Sequence, residues 1–133
     1  MHHWLVSLNL PIRFEASDRD AIVGRWMKHL NRGREHEAEI YHLCMKLRIT
    51  EQEWIDHRED ILVGVSVEFE HGLECTETNV TDDDLEKTTK IAMRHLAEGF
   101  AYYRLLISCV EYWQEDVLKA PKPRTCNANL VFF

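Results

Sequence analysis

Two groups of residues in this sequence have the types and spacing that metal or acid–base chemistry requires. Glu35, Glu39 and His42 stand at i, i+4 and i+7 with His36 alongside, so a helix would carry them on one face. That gives one Glu-x-x-His pair, whereas a di-iron bundle needs two such pairs and two further glutamates from facing helices. The spacing therefore reads as a solvated helix face. Glu68, Glu70, His71 and Glu74 would suit a hard divalent cation at the end of a strand, as in hydrolytic nucleases, but no basic residue nearby would steady a phosphate. A metal-dependent hydrolase built on those four residues is the alternative reading, not the leading one. No Gly-rich phosphate loop, G-x-S-x-G turn, H-E-x-x-H or paired-cysteine zinc pattern is present, and no cofactor is expected.

The strongest signal is the placement of charge. The chain has 133 residues and a net charge of −7. Residues 49–86 hold thirteen Asp and Glu against one basic residue, Arg58, while the flanking segments are each slightly basic. The acidic third is not a low-complexity tail, because its start and stop signals and apolar patterning predict ordered elements. Carboxylates on such elements are held in place and form a field that attracts basic partners. The expected partner-binding residues are Glu51, Asp56, Glu59, Asp60, Glu68, Glu70, Glu74, Glu77, Asp82, Asp83 and Asp84.

On a strand, Glu68 and Glu70 would project from one face about 7 Å apart, close to the spacing of successive nucleic-acid phosphates. In charge and size alone, the chain is similar to small acidic inhibitors from phages and mobile elements, including some anti-CRISPR proteins. That likeness implies a non-enzymatic module that occupies a basic, nucleic-acid-binding groove on another protein. Direct nucleic-acid binding is not expected, since the basic residues are dispersed and not interleaved with aromatics.

The elements that must position these residues follow from periodicity. Residues 3–16 alternate apolar and polar, with Trp4, Val6, Leu8, Leu10, Ile12 and Phe14 on one parity, which predicts a strand at an edge or bent at Pro11. Ser17 then opens a helix with Ile22, Trp26 and Leu30 inside and Gly33 at its end, and a second helix runs from about Arg34 to Leu47. Thr50-Glu51-Gln52-Glu53 is a capping box for a short third helix over 51–60. Val63, Val65, Val67 and Phe69 alternate with Gly64, Ser66, Glu68 and Glu70, which predicts a second strand, wet on its polar side. Thr81 caps a long helical region, about 82–119, that is either continuous or jointed at Gly99.

The expected architecture is α+β: a small two- or three-stranded sheet packed against several helices. Residues 1–120 would form one compact domain and 121–133 a tail that docks on the core. Tyr102, Tyr112, Phe132 and Phe133 would make an exposed aromatic patch that could join two copies into a homodimer, so a structural homo-oligomer is a further alternative. Cys44 and Cys109 occupy apolar positions of helical patterns, and Cys75 and Cys126 form no C-x-x-C pair, so reduced thiols and a cytoplasmic setting are expected. No stretch is apolar enough for a membrane span.

Overall fold

The structure, a computed structural model, describes residues 16–74 and 84–119. Five helices account for it: α1 (Ala16–Arg34), α2 (Glu37–Lys46), α3 (Glu51–Glu74), α4 (Leu85–Leu96) and α5. The last begins as Tyr102–Leu105 and continues through two π-helical stretches, Leu106–Glu111 and Trp113–Val117. Among the described residues there is no strand, and the α+β expectation is overturned. The strand expected over residues 3–16 falls, but for Ala16 in α1, outside the described residues, as does the tail 121–133.

The error lies in residues 63–70, which belong to α3. Every residue from Asp60 to Val67 is buried, so this stretch is a helix enclosed on all sides and has no wet face. α3 is the axis of the fold: it packs mainly against α1 and α4, and also touches α2 and α5. The small residues that imitated a polar strand face are sites of close approach. A Cβ on Gly64 would come within 2.5 Å of the Tyr103 ring, and one on Gly33 within 2.4 Å of the Leu62 carbonyl oxygen. Gly33 therefore lies inside α1 against α3 and does not end the helix.

Several local signals do operate. Glu53 N–H donates to Thr50 Oγ1 at 3.0 Å and Thr50 N–H to Glu53 Oε1 at 3.1 Å, the reciprocal capping box that starts α3. The helix does not stop at residue 60. It bends at His57, whose φ of −125° and ψ of 20° are not helical, and runs on to Glu74. Asp84, not Thr81, caps α4 by accepting from Lys87 N–H at 2.9 Å. The long C-terminal region is jointed, with residues 97–101 and Gly99 (φ 157°) between α4 and α5. The core gathers Ile22, Trp26, Leu30, Ile40, Ile61, Leu62, Val65, Leu96, Tyr103 and Ile107. Among the described residues no helix is long and apolar enough to cross a membrane.

Candidate functional site

Among the described residues the expected acidic side chains do not share one surface. Residues two apart on a helix are rotated about 200° from each other, so Glu68 and Glu70 leave α3 in opposite directions. Glu68 accepts from Tyr103 Oη at 2.7 Å, with His95 Nε2 at 3.7 Å and His71 Nδ1 at 3.9 Å. Glu70 accepts from Arg32 Nη1 at 2.8 Å, and Lys28 Nζ lies 3.9 Å away.

Asp60 is only 1% exposed and is gripped by both Nε and Nη2 of Arg104 at 2.7 and 2.8 Å. Burial raises its pKa, and Arg104 pulls it only part of the way back. Asp84 is engaged as the cap of α4. Glu51, Asp56 and Glu59 remain on the outer side of the first half of α3: Glu51 accepts from Tyr41 Oη, Asp56 from Gln52, and Glu59 lies 4.0 Å from Arg34. Glu77, Asp82 and Asp83 lie outside the described residues, as does the side chain of Glu74.

The metal and aromatic expectations are corrected as well. Because Glu68 and Glu70 diverge, the carboxylate–histidine cation site is not assembled, and among the described residues no three His, Cys, Asp or Glu side chains could hold a metal ion together. Glu35, Glu39 and His42 are simply exposed. Tyr112 is buried and donates to Asp18, while Tyr102 stacks on the His95 ring at 4.5 Å. Tyr112 is thus withdrawn from the expected aromatic patch, whereas Tyr102 is half-buried. Phe132 and Phe133 lie outside the described residues.

What the helices bring together is a different constellation. A cleft of about 650 Å³ opens between α1, the end of α3 and the π-helical part of α5. At its floor His29, 4% exposed, places Nδ1 3.3 Å from Ser66 Oγ and 3.5 Å from Glu70 Oε2, with Nε2 3.7 Å from Glu111 Oε1. Its wall is Arg25, which donates to Glu111 at 2.7 Å and to both oxygens of Asp116, with Glu115 at 2.9 Å. His71 and Lys28 stand at the rim.

Each helix has a local reason to contribute. Arg25 and His29 are one turn apart on α1, beside the buried Trp26 and Leu30. Ser66 and Glu70 repeat that spacing on α3. Glu111 ends the first π-helical stretch of α5, where the wider turn shifts the register of side chains, a feature common at functional sites. Burial alone would raise the pKa of Glu111. His29, Arg25 and His71 together outweigh it, so the carboxyl lies below its ordinary 4.5. Asp116 is likewise held low, by Arg25.

A family model described as "Protein of unknown function (DUF5661)" matches residues 40–111, more than half of the chain. The chain belongs to the DUF5661 family. No curated protein and no solved structure matches it. The DUF5661 span takes in Asp60, Glu68, Glu70, His71, His95 and Glu111, whereas α1, with Arg25 and His29, precedes it.

From the sequence His29 reads as a partly buried helix residue beside an apolar stripe, and it is buried; its meeting with Arg25 and Glu111 was missed, because the pairs across the cleft are 82 or more positions apart along the chain. The available signal was positional. His29 adjoins the apolar stripe of α1, and Arg104, Ser108, Glu111 and Glu115 share one face of α5. That face turns inward at Arg104, Ser108 and Glu111, while Glu115 stays exposed.

Proposed function

We propose that the protein is a helical domain that binds a small ligand in the cleft over His29, and that this imidazole exchanges a proton with what binds there. The observation that supports the reading is the setting of His29: buried, at the floor of an open cleft, between carboxylates from two other helices. Ionisable groups withdrawn from water cost several kcal/mol unless paired. A cleft that gathers two imidazoles, four carboxylates and a fixed guanidinium has what general acid–base chemistry uses.

The reading is tested by following the ring resonances of His29 by NMR while small amines, carboxylates and phosphates are titrated. A ligand of this cleft shifts them at saturable concentration, and Glu111→Gln weakens its binding about tenfold. If no probe moves His29, the cleft is only an internal charge network and the reading fails.

A second reading rests on a separate observation. Ile55 is 62% exposed on the outer face of α3, with Glu51 and Glu59 one turn to either side and Asp56 adjacent. An apolar anchor rimmed by carboxylates suits a basic protein surface, such as a nucleic-acid-binding complex that an acidic inhibitor would occupy. Reversing Glu51, Asp56 and Glu59 to lysine should abolish association with a polylysine probe at low salt, measured by surface plasmon resonance. An unchanged association rate would remove this reading and leave the cleft untouched.

A further inference from the structure

Two hollows meet at Glu70. One is the ionic cleft over His29. The other, of about 450 Å³, opens on the far side of that carboxylate, with Ile40, Val65, Phe69 and Leu85 as its apolar lining. Glu70 lines both. Ser66 faces the apolar hollow and His29 the cleft, and these side chains stand 3.3 Å apart. The partition is thus thin: one carboxylate held at 2.8 Å by Arg32, whose side chain is 38% exposed and long enough to swing away.

Charge selects what can enter. The cleft presents Glu70, Glu111, Glu115 and Asp116 against two permanent cations, Arg25 and Lys28. Arg25 is already committed to Glu111, Glu115 and Asp116. Glu111 and Asp116 each accept from that guanidinium, at 2.7 and 2.6 Å, and are carboxylates at neutral pH. Arg32 and Glu35 line the hollow beyond, so across the joined site, with its imidazoles neutral, five carboxylates face three permanent cations and the excess of negative charge disfavours an anion and draws in a cation. The hollow beyond Glu70 rewards an apolar body that an inorganic cation lacks.

We infer that the ligand of this site is an amphipathic amine, whose ammonium head takes the place of Arg32 at Glu70 and whose apolar body lies over Val65 and Phe69. The inference rests on the cleft being a ligand site, as proposed above. Each methylene that enters the hollow should tighten binding about fourfold, the equivalent of one buried CH₂.

The test is calorimetric titration of the full chain with n-alkylammonium ions from methyl to octyl and with alkanoates of the same lengths, each point paired with the His29 ring spectrum. The expected result is a Kd that falls about fourfold per added carbon until the hollow is filled, with octylammonium at least tenfold tighter than octanoate. Glu70→Gln should weaken the amines about tenfold, and the exposed Glu98→Gln should not. Phe69→Ala should flatten the dependence on chain length while sparing the short amines, which separates loss of the hollow from loss of the fold. Octanoate binding as tightly as octylammonium while shifting His29 would overturn the amine and leave the cleft a ligand site. A dependence on charge but not on chain length would overturn the shared hollow. If neither series moves His29, the inference and the reading beneath it fall together.

Discussion

Asp60 shows how far a carboxylate's neighbours outweigh its charge. In sequence it is one of thirteen acidic residues within 49–86; in the fold it is 1% exposed and bound at both oxygens by Arg104 across the α3–α5 contact. Removing Arg104 leaves Asp60 buried and uncompensated, so Arg104→Ala should cost about 3–5 kcal/mol in denaturant unfolding, and Asp60→Ala less, because the Arg104 side chain is 28% exposed and can turn to water. Replacing both, with Leu and Met, should cost much less than the two single losses combined. If the single changes were neutral, the pair would not be desolvated as described. Glu111 yields a prediction in pH. Its carboxyl lies below 4.5 when folded, so its contribution is complete above that value and is lost as pH falls through the lower one. Glu111→Gln should therefore flatten the acid side of the stability curve below about pH 5, as read by thermal unfolding across pH. An unchanged acid slope would mean that His29 and Arg25 do not stabilise its charged form. Cys44 is buried and its thiol is pushed up to about 11. A thiol reagent at pH 8 should accordingly label Cys109 well before Cys44.

At the level of the element, α3 explains why the alternation in residues 63–70 misled. Val63, Val65, Val67 and Phe69 against Gly64, Ser66, Glu68 and Glu70 has period two, and β-branched residues favour strands when they pack on a pleated surface. A helix surrounded by four others has no outward face, so periodicity carries no information there; only length separates the two cases. The capping box at Thr50 was legible because it is local, and so was the helical character of residues 85–96. The extension beyond residue 60 was not, since it depends on neighbours far along the chain. The inward turn of Arg104, Ser108 and Glu111 was equally hidden, because a polar stripe looks the same whether it meets water or a buried carboxylate. Gly64 gives the sharpest test. A Cβ there would meet the Tyr103 ring at 2.5 Å, and that ring is fully buried and tied through its hydroxyl to Glu68. On an exposed strand face Gly64→Ala would be neutral or favourable. In this packing it should cost about 1–3 kcal/mol despite the gain in helix propensity. Tyr103→Phe in the same background should not restore it, because the clash lies at the ring and not at the hydroxyl.

Across the whole molecule, Arg25 is the tie between the first described helix and the last. Its guanidinium reaches Glu111, Glu115 and Asp116 at 2.7, 2.9 and 2.6 Å, closing a sequence separation of 86 residues or more. Past Tyr112, which donates to Asp18, and Trp113, which packs against the core, α5 has few other anchors among the described residues: Gln114, Val117 and Leu118 are exposed. The ionic clamp thus does for the end of α5 what apolar packing does for α3. Its strength comes from geometry, since the arginine is four-fifths buried and meets three carboxylates at once, unlike an isolated surface pair. Arg25→Met keeps the apolar stem and removes the charge, leaving three carboxylates to repel one another at close range. Backbone amides of residues 111–117 should then exchange with deuterium at least tenfold faster, while those of residues 60–67 in α3 keep their protection. Added salt should recover part of the loss, because screening weakens repulsion among the bared carboxylates. Uniform acceleration across both segments would mean that the clamp supports global stability only, and α5 would have to be anchored by contacts other than these.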